Sequence, residues 1–143
     1  MDRETILAAL ARWVEILTRR GDRDAVEGLF AERATIRRFE AGPATEPVEI
    51  LEGWAAITEW VGRTREGMKF SFVKRSVRGT APEIHVRYRL AFPDFKGGGR
   101  WRVWFDREGM IAEIEHHPDV LAARYTDPKV ALAHLAKIRG RRT

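Results

Sequence analysis

The 143-residue sequence contains no cysteine. This absence excludes disulfides, thiolate metal sites and cysteine nucleophiles. No apolar run approaches the roughly 18 residues that a membrane-spanning helix needs. The first thirteen residues mix acidic and basic side chains before the apolar ones, so they lack the basic start and apolar core of a signal peptide. We therefore expect a cytoplasmic protein with no membrane partner.

The composition is that of a globular protein, with 44% hydrophobic and 33% charged residues. The length fits one domain, which we expect over residues 1–125, followed by a C-terminal helix and basic tail over residues 126–143. The net charge is +5, and most of the excess lies in that tail. A nucleic-acid groove needs a basic stripe across the folded body. The distribution therefore favours a solvated tail, and we do not expect nucleic-acid binding.

The first part of the chain has a helical pattern. Apolar residues between Ile6 and Leu17 recur on one helical face, and Asp2 is the predicted N-cap. Gly21 is predicted to end this helix, and Asp22 to cap a second one. The pattern thus predicts two consecutive helices.

The pattern then becomes mainly strand-like. The segment ATIRRFE at 34–40 predicts a strand, and Gly53 opens a third helix. From Met68 onward apolar and polar residues alternate, with turns predicted at 79–82, at the glycines 97–99 and at 106–109. Helices followed by antiparallel strands predict an α+β fold.

The turn at 106–109 also predicts how the last two strands pair. One face is apolar, with the opposite pairs Phe105–Met110, Val103–Ala112 and Trp101–Ile114. The other face is charged, with the opposite pairs Arg102–Glu113 and Arg100–Glu115.

The charged face predicts an interface. The same register sets Trp104 and Ile111 opposite each other among the charges. Trp and Arg are enriched at interface hot spots, so we expect a homodimer through this convex sheet face. The alternative is that Arg89 stacks on Trp104 within one subunit.

Three segments carry a resemblance to a known superfamily. They are GDRDAVEGLFAERATI (21–36), LEGWAAITEWV (51–61) and FDREGMIAEIE (105–115). In this order they resemble the nuclear-transport-factor-two-like superfamily, which includes ketosteroid isomerase and the SnoaL-like polyketide cyclases. The resemblance implies a cone in which a curled antiparallel or mixed sheet wraps around N-terminal helices, a cystatin-like α+β roll. It also implies a pocket at the open end and, in many members, a dimer through the convex face.

The resemblance does not extend to the catalytic residues of the isomerase. The general-base aspartate of ketosteroid isomerase falls at Arg38, its tyrosine donor at Val14 or Trp13, and its protonated aspartate at Trp101. No carboxylate or phenol stands at these positions, so the known isomerase mechanism is excluded. SnoaL-type cyclases use an acid/base carboxylate just after the last strand, where Asp119 lies. The alternative for Asp119 is a turn or capping residue.

Two cationic or titratable residues are further candidates. Arg38 shares a strand face with Ile36, and a guanidinium there can bind a carboxylate or enolate oxygen. Its alternative is a place at the rim, paired with Glu40 or another carboxylate. His116 is in phase with the apolar face, where it is a candidate general acid/base. Its alternative is a buried histidine satisfied by one backbone carbonyl.

Aromatic residues suggest the ligand class. Trp13, Trp54, Tyr88 and Trp101 are predicted to line a pocket for a small hydrophobic or cyclic organic ligand, unless they are simply core. Strand alternation separates His116 from the neighbouring glutamates, so we expect no metal, and no cofactor is implied. Two functions stay open: a cofactor-independent acid/base enzyme of isomerase, cyclase or dehydratase type, or a non-catalytic dimerisation or ligand-binding module.

Overall fold

The computed structural model describes residues 1–64, 66–93, 95–119 and 124–125, and for residues 95, 124 and 125 it describes the backbone alone. The predicted C-terminal helix and basic tail lie outside these residues. Within them, three helices accompany one mixed sheet, so the predicted α+β class is confirmed. In this part of the chain, no helix has the length and apolar character required to cross a membrane.

The elements follow the predicted order. The helices are α1 (Arg3–Arg19), α2 (Arg23–Leu29) and α3 (Gly53–Gly62). The strands are β1 (Phe30–Arg38), β2 (Glu49–Glu52), β3 (Lys69–Phe72), β4 (Arg78–Thr80), β5 (Glu83–Phe92), β6 (Phe95–Phe105), β7 (Ile111–Pro118) and β8 (Arg124–Tyr125). A single 3-10 turn, Lys74–Ser76, joins β3 to β4.

The helix starts agree with the sequence signals. The Asp2 carboxylate accepts a hydrogen bond from the Thr5 backbone N–H at 2.8 Å, which confirms it as an N-cap. The Asp22 carboxylate does the same for the Ala25 N–H at 3.0 Å. The end of α1 differs by one position, because the left-handed residue is Arg20, at φ 51°, and not the glycine after it.

The sheet has the strand order β2-β1-β7-β6-β5-β3, with β4 also paired to β5 and β8 to β6. β1 and β7 run parallel, and the other pairs are antiparallel. The helices bury one face of this sheet, which we call the inner face; it carries Ile36, Val86, Tyr88, Trp101, Ile114 and His116. The opposite side is the outer face.

The glycine-rich segment is not a turn, as the sequence had predicted. Gly97, Gly98 and Gly99 lie inside β6, and the chain reverses between Phe92 and Phe95. Glycine is needed at Gly99 because the strands approach closely there. A Cβ on Gly99 would lie 2.3 Å from a backbone oxygen of β7.

The predicted register of β6 and β7 is also wrong. The observed opposite pairs are Trp101–His116, Arg102–Glu115, Val103–Ile114, Trp104–Glu113 and Phe105–Ile111. The turn is one residue longer than predicted, and Ala112 is an extra residue in β7 that forms a bulge.

The bulge changes both faces. The predicted pairs of Arg102 with Glu113 and of Arg100 with Glu115 are absent: Arg100 lies opposite His117. Ile111 is fully buried on the inner face and does not face Trp104.

Candidate functional site

His116 lies near the end of β7, on the inner face of the sheet. The register of β7 sets it beside Arg38 of β1 and opposite Trp101 of β6. The indole N–H of Trp101 donates to His116 Nδ1 at 2.9 Å, and the hydroxyl of Tyr88 lies 3.0 Å from His116 Nε2. The histidine is only 9% exposed. Two side chains, not a backbone carbonyl, therefore satisfy this buried imidazole.

The Trp101 contact defines the tautomer of the neutral ring. An indole N–H can only donate, so Nδ1 of His116 is the acceptor and carries no proton. The ring proton is then on Nε2, which donates to the Tyr88 oxygen. The hydroxyl hydrogen of Tyr88 remains available for another acceptor.

Burial keeps this pair of residues neutral. Desolvation, followed by the positive charge of Arg38 and then His117, lowers the pKa of His116 to about 3. Desolvation also raises the pKa of the Tyr88 phenol, with a smaller contribution from Asp119. At neutral pH both are hydrogen-bonding groups without charge.

Aromatic rings surround His116 and form what we call the aromatic cluster: Trp13, Trp60, Tyr88 and Trp101. Tyr88 stacks on Trp101 with ring centroids 4.5 Å apart, and Trp101 lies 6.2 Å from Trp13. Trp60 stacks on Trp13 at 6.3 Å and meets His116 edge-on at 6.0 Å. All four rings are buried.

Arg38 stands at the edge of this cluster. Its guanidinium carbon lies 5.1 Å from the centre of the Trp60 ring, a cation–π arrangement. Its Nη1 donates to Glu49 of β2, which also lies 3.4 Å from Arg63. This hydrogen bond, more than the charge of Arg63, lowers the pKa of Glu49. Arg38 thus contacts both the cluster and a carboxylate at the rim, and that carboxylate is Glu49, not Glu40.

Two buried donors beside Trp60 have no partner. Among the described residues, Trp13 Nε1 and Arg38 Nε are buried side-chain atoms without a hydrogen-bond acceptor. Leaving such a donor unsatisfied costs about 1–3 kcal/mol. Both side chains contact Trp60, which the sequence analysis left out of its candidates although it shares the buried face of α3 with Ile57.

Trp54 and Asp119 do not join the cluster. The indole of Trp54 donates to the Phe30 carbonyl at 2.9 Å, a bond that ties α3 to β1. Asp119 binds Arg87, an exposed residue of the outer face, and its backbone N–H donates to the Gly98 carbonyl at 2.9 Å. Asp119 is therefore paired with Arg87, while its charge acts on Tyr88, the hydrogen-bond partner of His116.

Over the described ranges, no group of three or more His, Asp or Glu side chains is arranged to hold a metal ion. His117 and Glu115 do meet at 2.9 Å, but they lie on the outer face, away from His116.

Comparisons with known proteins give the fold. No family model matches the sequence, and no curated protein matches it. A proposed isomerase of the SnoaL-like family from Agrobacterium tumefaciens superposes with a TM-score of 0.68 at 19% identity, covering 81% of this chain and 98% of its own. The chain has the cone-shaped nuclear-transport-factor-two-like fold.

Two further structures support this assignment. A proposed ketosteroid isomerase from Kribbella flavida has a TM-score of 0.65 at 17% identity, covering 87% of this chain and 83% of its own. A computationally designed 17-OHP binder has a TM-score of 0.63 at 14% identity, covering 85% and 98%. At these identities the likeness establishes the fold and not the activity.

Proposed function

We propose that the protein binds a small, largely apolar organic molecule at the aromatic cluster, and that the molecule carries a carbonyl or carboxylate oxygen. The observation that carries this proposal is the pair of unpaired buried donors, Trp13 Nε1 and Arg38 Nε, whose side chains both contact Trp60. An acceptor oxygen held between them would satisfy both, and the surrounding rings would contact the apolar body of the molecule.

Trp60 is the side chain that has to move for such a ligand to enter. It is 8% exposed and near the end of α3, with Trp13 and Arg38 as neighbours. A rotation of its ring would leave a space lined by these two donors. The proposal therefore expects ligand binding to change the environment of Trp60.

The proposal assigns His116 and Tyr88 to ligand positioning, not to proton transfer. A histidine whose pKa is about 3 is neutral at physiological pH and is a weak base. Tyr88 keeps a hydroxyl hydrogen that a ligand oxygen can accept. The Asp119 carboxylate is bound to Arg87. The catalytic roles of His116 and Asp119 stay predictions, and these observations favour the non-catalytic alternative.

The similar proteins support the ligand class. A designed protein of this fold is described as a binder of 17-OHP. A proposed ketosteroid isomerase shares the fold as well. Both favour an apolar ligand inside the cone of this chain.

Assembly as a homodimer through the outer face and a cytoplasmic location also stay proposals. Trp104 is half-buried, and the guanidinium of Arg102, not that of Arg89, lies 4.7 Å from its ring centre. This stacking within one subunit already covers part of the indole, while the remaining surface is available to a second copy.

Binding can be tested with three matched probes. We expect 2-naphthoate and 2-acetylnaphthalene to bind more tightly than 2-methylnaphthalene, by about tenfold, because the hydrocarbon cannot accept from the two donors. Calorimetric titration gives the affinities, and tryptophan fluorescence reports the change around Trp60. Equal affinities for the three probes would remove the argument from the unpaired donors.

Arginine variants locate the site. Arg38→Met should abolish the preference for naphthoate. Arg37→Met is the matched control, because Arg37 points to the outer face and pairs with Glu113 at 3.1 Å. A loss of affinity in both variants would indicate non-specific charge effects. A folded protein that binds none of the probes would favour the dimerisation module.

A further inference from the structure

A concave site lies beside the 3-10 turn, and its lining includes Tyr88 of the aromatic cluster. A cavity of about 730 Å³ is bounded by the 3-10 turn Lys74–Ser76 and by strands β4, β5 and β6. Cationic side chains dominate its lining, and we call it the basic cleft: Arg75, Arg78, Arg87, Arg89 and Lys96. Among the described residues, no carboxylate lines it.

Four of the five cations of the basic cleft have no carboxylate contact among the described residues. In the part of the chain that the structure describes, Arg87 is the member with a carboxylate contact, from Asp119. Elsewhere on the outer face, Arg37 is paired with Glu113 and Arg102 with Glu83, whereas Arg100, opposite Arg87, has no carboxylate contact among the described residues. Positive charge is therefore concentrated here.

The residues outside the described ranges contain too few acidic side chains to neutralise the five cations. The residues outside the described ranges contain the acidic side chains Asp94 and Asp127. Together with Asp119 these are fewer than the five cations of the basic cleft. An excess of positive charge in a concave surface attracts anions and concentrates them.

Hydrogen bonds hold the wall of the basic cleft in place. The Ser76 hydroxyl donates to the Val73 carbonyl at 2.6 Å and accepts from the Arg87 backbone N–H at 2.8 Å. The Val73 N–H donates to the Arg87 carbonyl at 3.0 Å. These bonds fix the 3-10 turn against β5, so Arg75 and Arg78 come from a wall that is attached to the strand carrying Arg87 and Arg89.

We propose that the basic cleft binds a phosphate-bearing small molecule of nucleotide size. The planar guanidinium of arginine pairs with two phosphate oxygens at once, which lysine cannot do. The volume lies within the range of small-molecule sites, roughly 300–1,000 Å³. Towards β1 and β7 the outer-face arginines Arg37 and Arg102 are paired with glutamates, so the positive surface does not continue across the whole sheet, and a small anion fits better than a nucleic acid.

The test uses ADP and inorganic pyrophosphate with the full chain near physiological salt. We expect saturable binding of one ADP per chain by calorimetric titration. Arg75→Ala and Arg89→Ala should each weaken it by about tenfold, the effect of losing one charge-assisted contact. The matched control is Arg107→Ala, which removes the same charge from the exposed turn after β6 and should leave the affinity unchanged. Circular dichroism checks that the variants fold.

Several results would overturn the proposal. They are the absence of binding of both probes at millimolar concentration, or an equal loss of affinity in Arg107→Ala. Tighter binding of a single-stranded oligonucleotide, growing with its length and falling steeply with salt, would replace the small anion with nucleic acid. Arg38→Met separates this site from the aromatic cluster, since it should leave ADP binding intact.

Discussion

On strand β5, Tyr88 lies on the inner face of the sheet, and its neighbours Arg87 and Arg89 lie on the outer face. Strand β6 repeats the contrast with Trp101 inside and Arg102 outside. Adjacent residues thus belong to two environments with different rules. Inside, buried polar atoms are removed from bulk solvent and depend on a few protein partners. Outside, charges are hydrated, and each ion pair contributes little.

Each face of the sheet leaves a few polar groups without the partners that are usual in its environment. The inner face satisfies His116 completely and leaves Trp13 Nε1 and Arg38 Nε without acceptors. The outer face pairs Arg37 and Arg102 with glutamates, whereas among the described residues four of the five cations of the basic cleft have no carboxylate contact. On both faces, polar groups without protein partners mark the candidate site. The environment then indicates the ligand: a largely apolar molecule with an acceptor oxygen on the inner face, and an anion on the outer face.

The largest effect is expected where the inner face has no spare space. In Gly99→Ala the new Cβ would lie 2.3 Å from the His117 carbonyl oxygen and 2.7 Å from the Tyr88 hydroxyl. The backbone oxygen cannot move away cheaply, so we expect a loss of about 3 kcal/mol in the free energy of unfolding, measured with urea. Gly62→Ala is the control, because nothing lies within 4 Å of its Cβ position at the end of α3. Similar losses in both variants would contradict this account of Gly99.

The second effect is the pH dependence that His116 confers. Its pKa is lowered to about 3 in the folded state, against 6.5 for the ordinary group. Between pH 3 and pH 6.5 the imidazole is protonated in the unfolded chain but not in the folded protein. The contribution of His116 to the free energy of unfolding is therefore fully present above pH 6.5 and is lost as the pH decreases towards 3. The slope is about 1.4 kcal/mol per pH unit, or about 2 kcal/mol between pH 6.5 and 5.

His116→Gln isolates that contribution. The amide can accept from Trp101 and donate to Tyr88, but it does not titrate. The difference between wild type and variant in the free energy of unfolding should therefore decrease as the pH falls from 7 to 5. Parallel pH curves for the two proteins would mean that the imidazole is not held neutral by the fold.

The smallest effect on folding is expected on the outer face. Trp104→Glu should change the free energy of unfolding by no more than about 1 kcal/mol, since only the exposed stack on Arg102 is lost. If the outer face is the dimer surface, the same change should convert dimer to monomer in sedimentation. The control is Ile50→Glu, at a 50% exposed apolar residue of β2. A wild-type monomer, or a Trp104→Glu dimer, would remove the outer face as the interface.

Local sequence patterns were sufficient for several features. Asp2 and Asp22 cap their helices because the signal acts within three residues. The change in period after Met68 predicted strands, and the α+β class followed from the order of the elements. Alternation also placed Trp101, Ile114 and His116 on the apolar face, although the predicted register gave Trp101 the wrong partner.

Other features depend on how distant segments pair. A bulge at Ala112 and a longer turn brought His116 opposite Trp101, and neither has a clear local signal in the sequence. The glycines of β6 resembled a turn, whereas close approach to Tyr88 and β7 is what requires Gly98 and Gly99. The partners of Arg38 and Asp119, which are Glu49 and Arg87, were not predicted either.

The difference between the features that the sequence predicted and those that it did not has a physical reason. Alternation along a strand is a property of the backbone, so the sequence alone determined that His116 and Trp101 point inward and that Arg87 and Arg89 point outward. Which inward side chains meet depends on hydrogen bonding between strands, turn length and bulges. Only the tertiary structure therefore decided that His116 is held by Tyr88 and Trp101, that two donors beside Trp60 are left unpaired, and that five cations share one cleft.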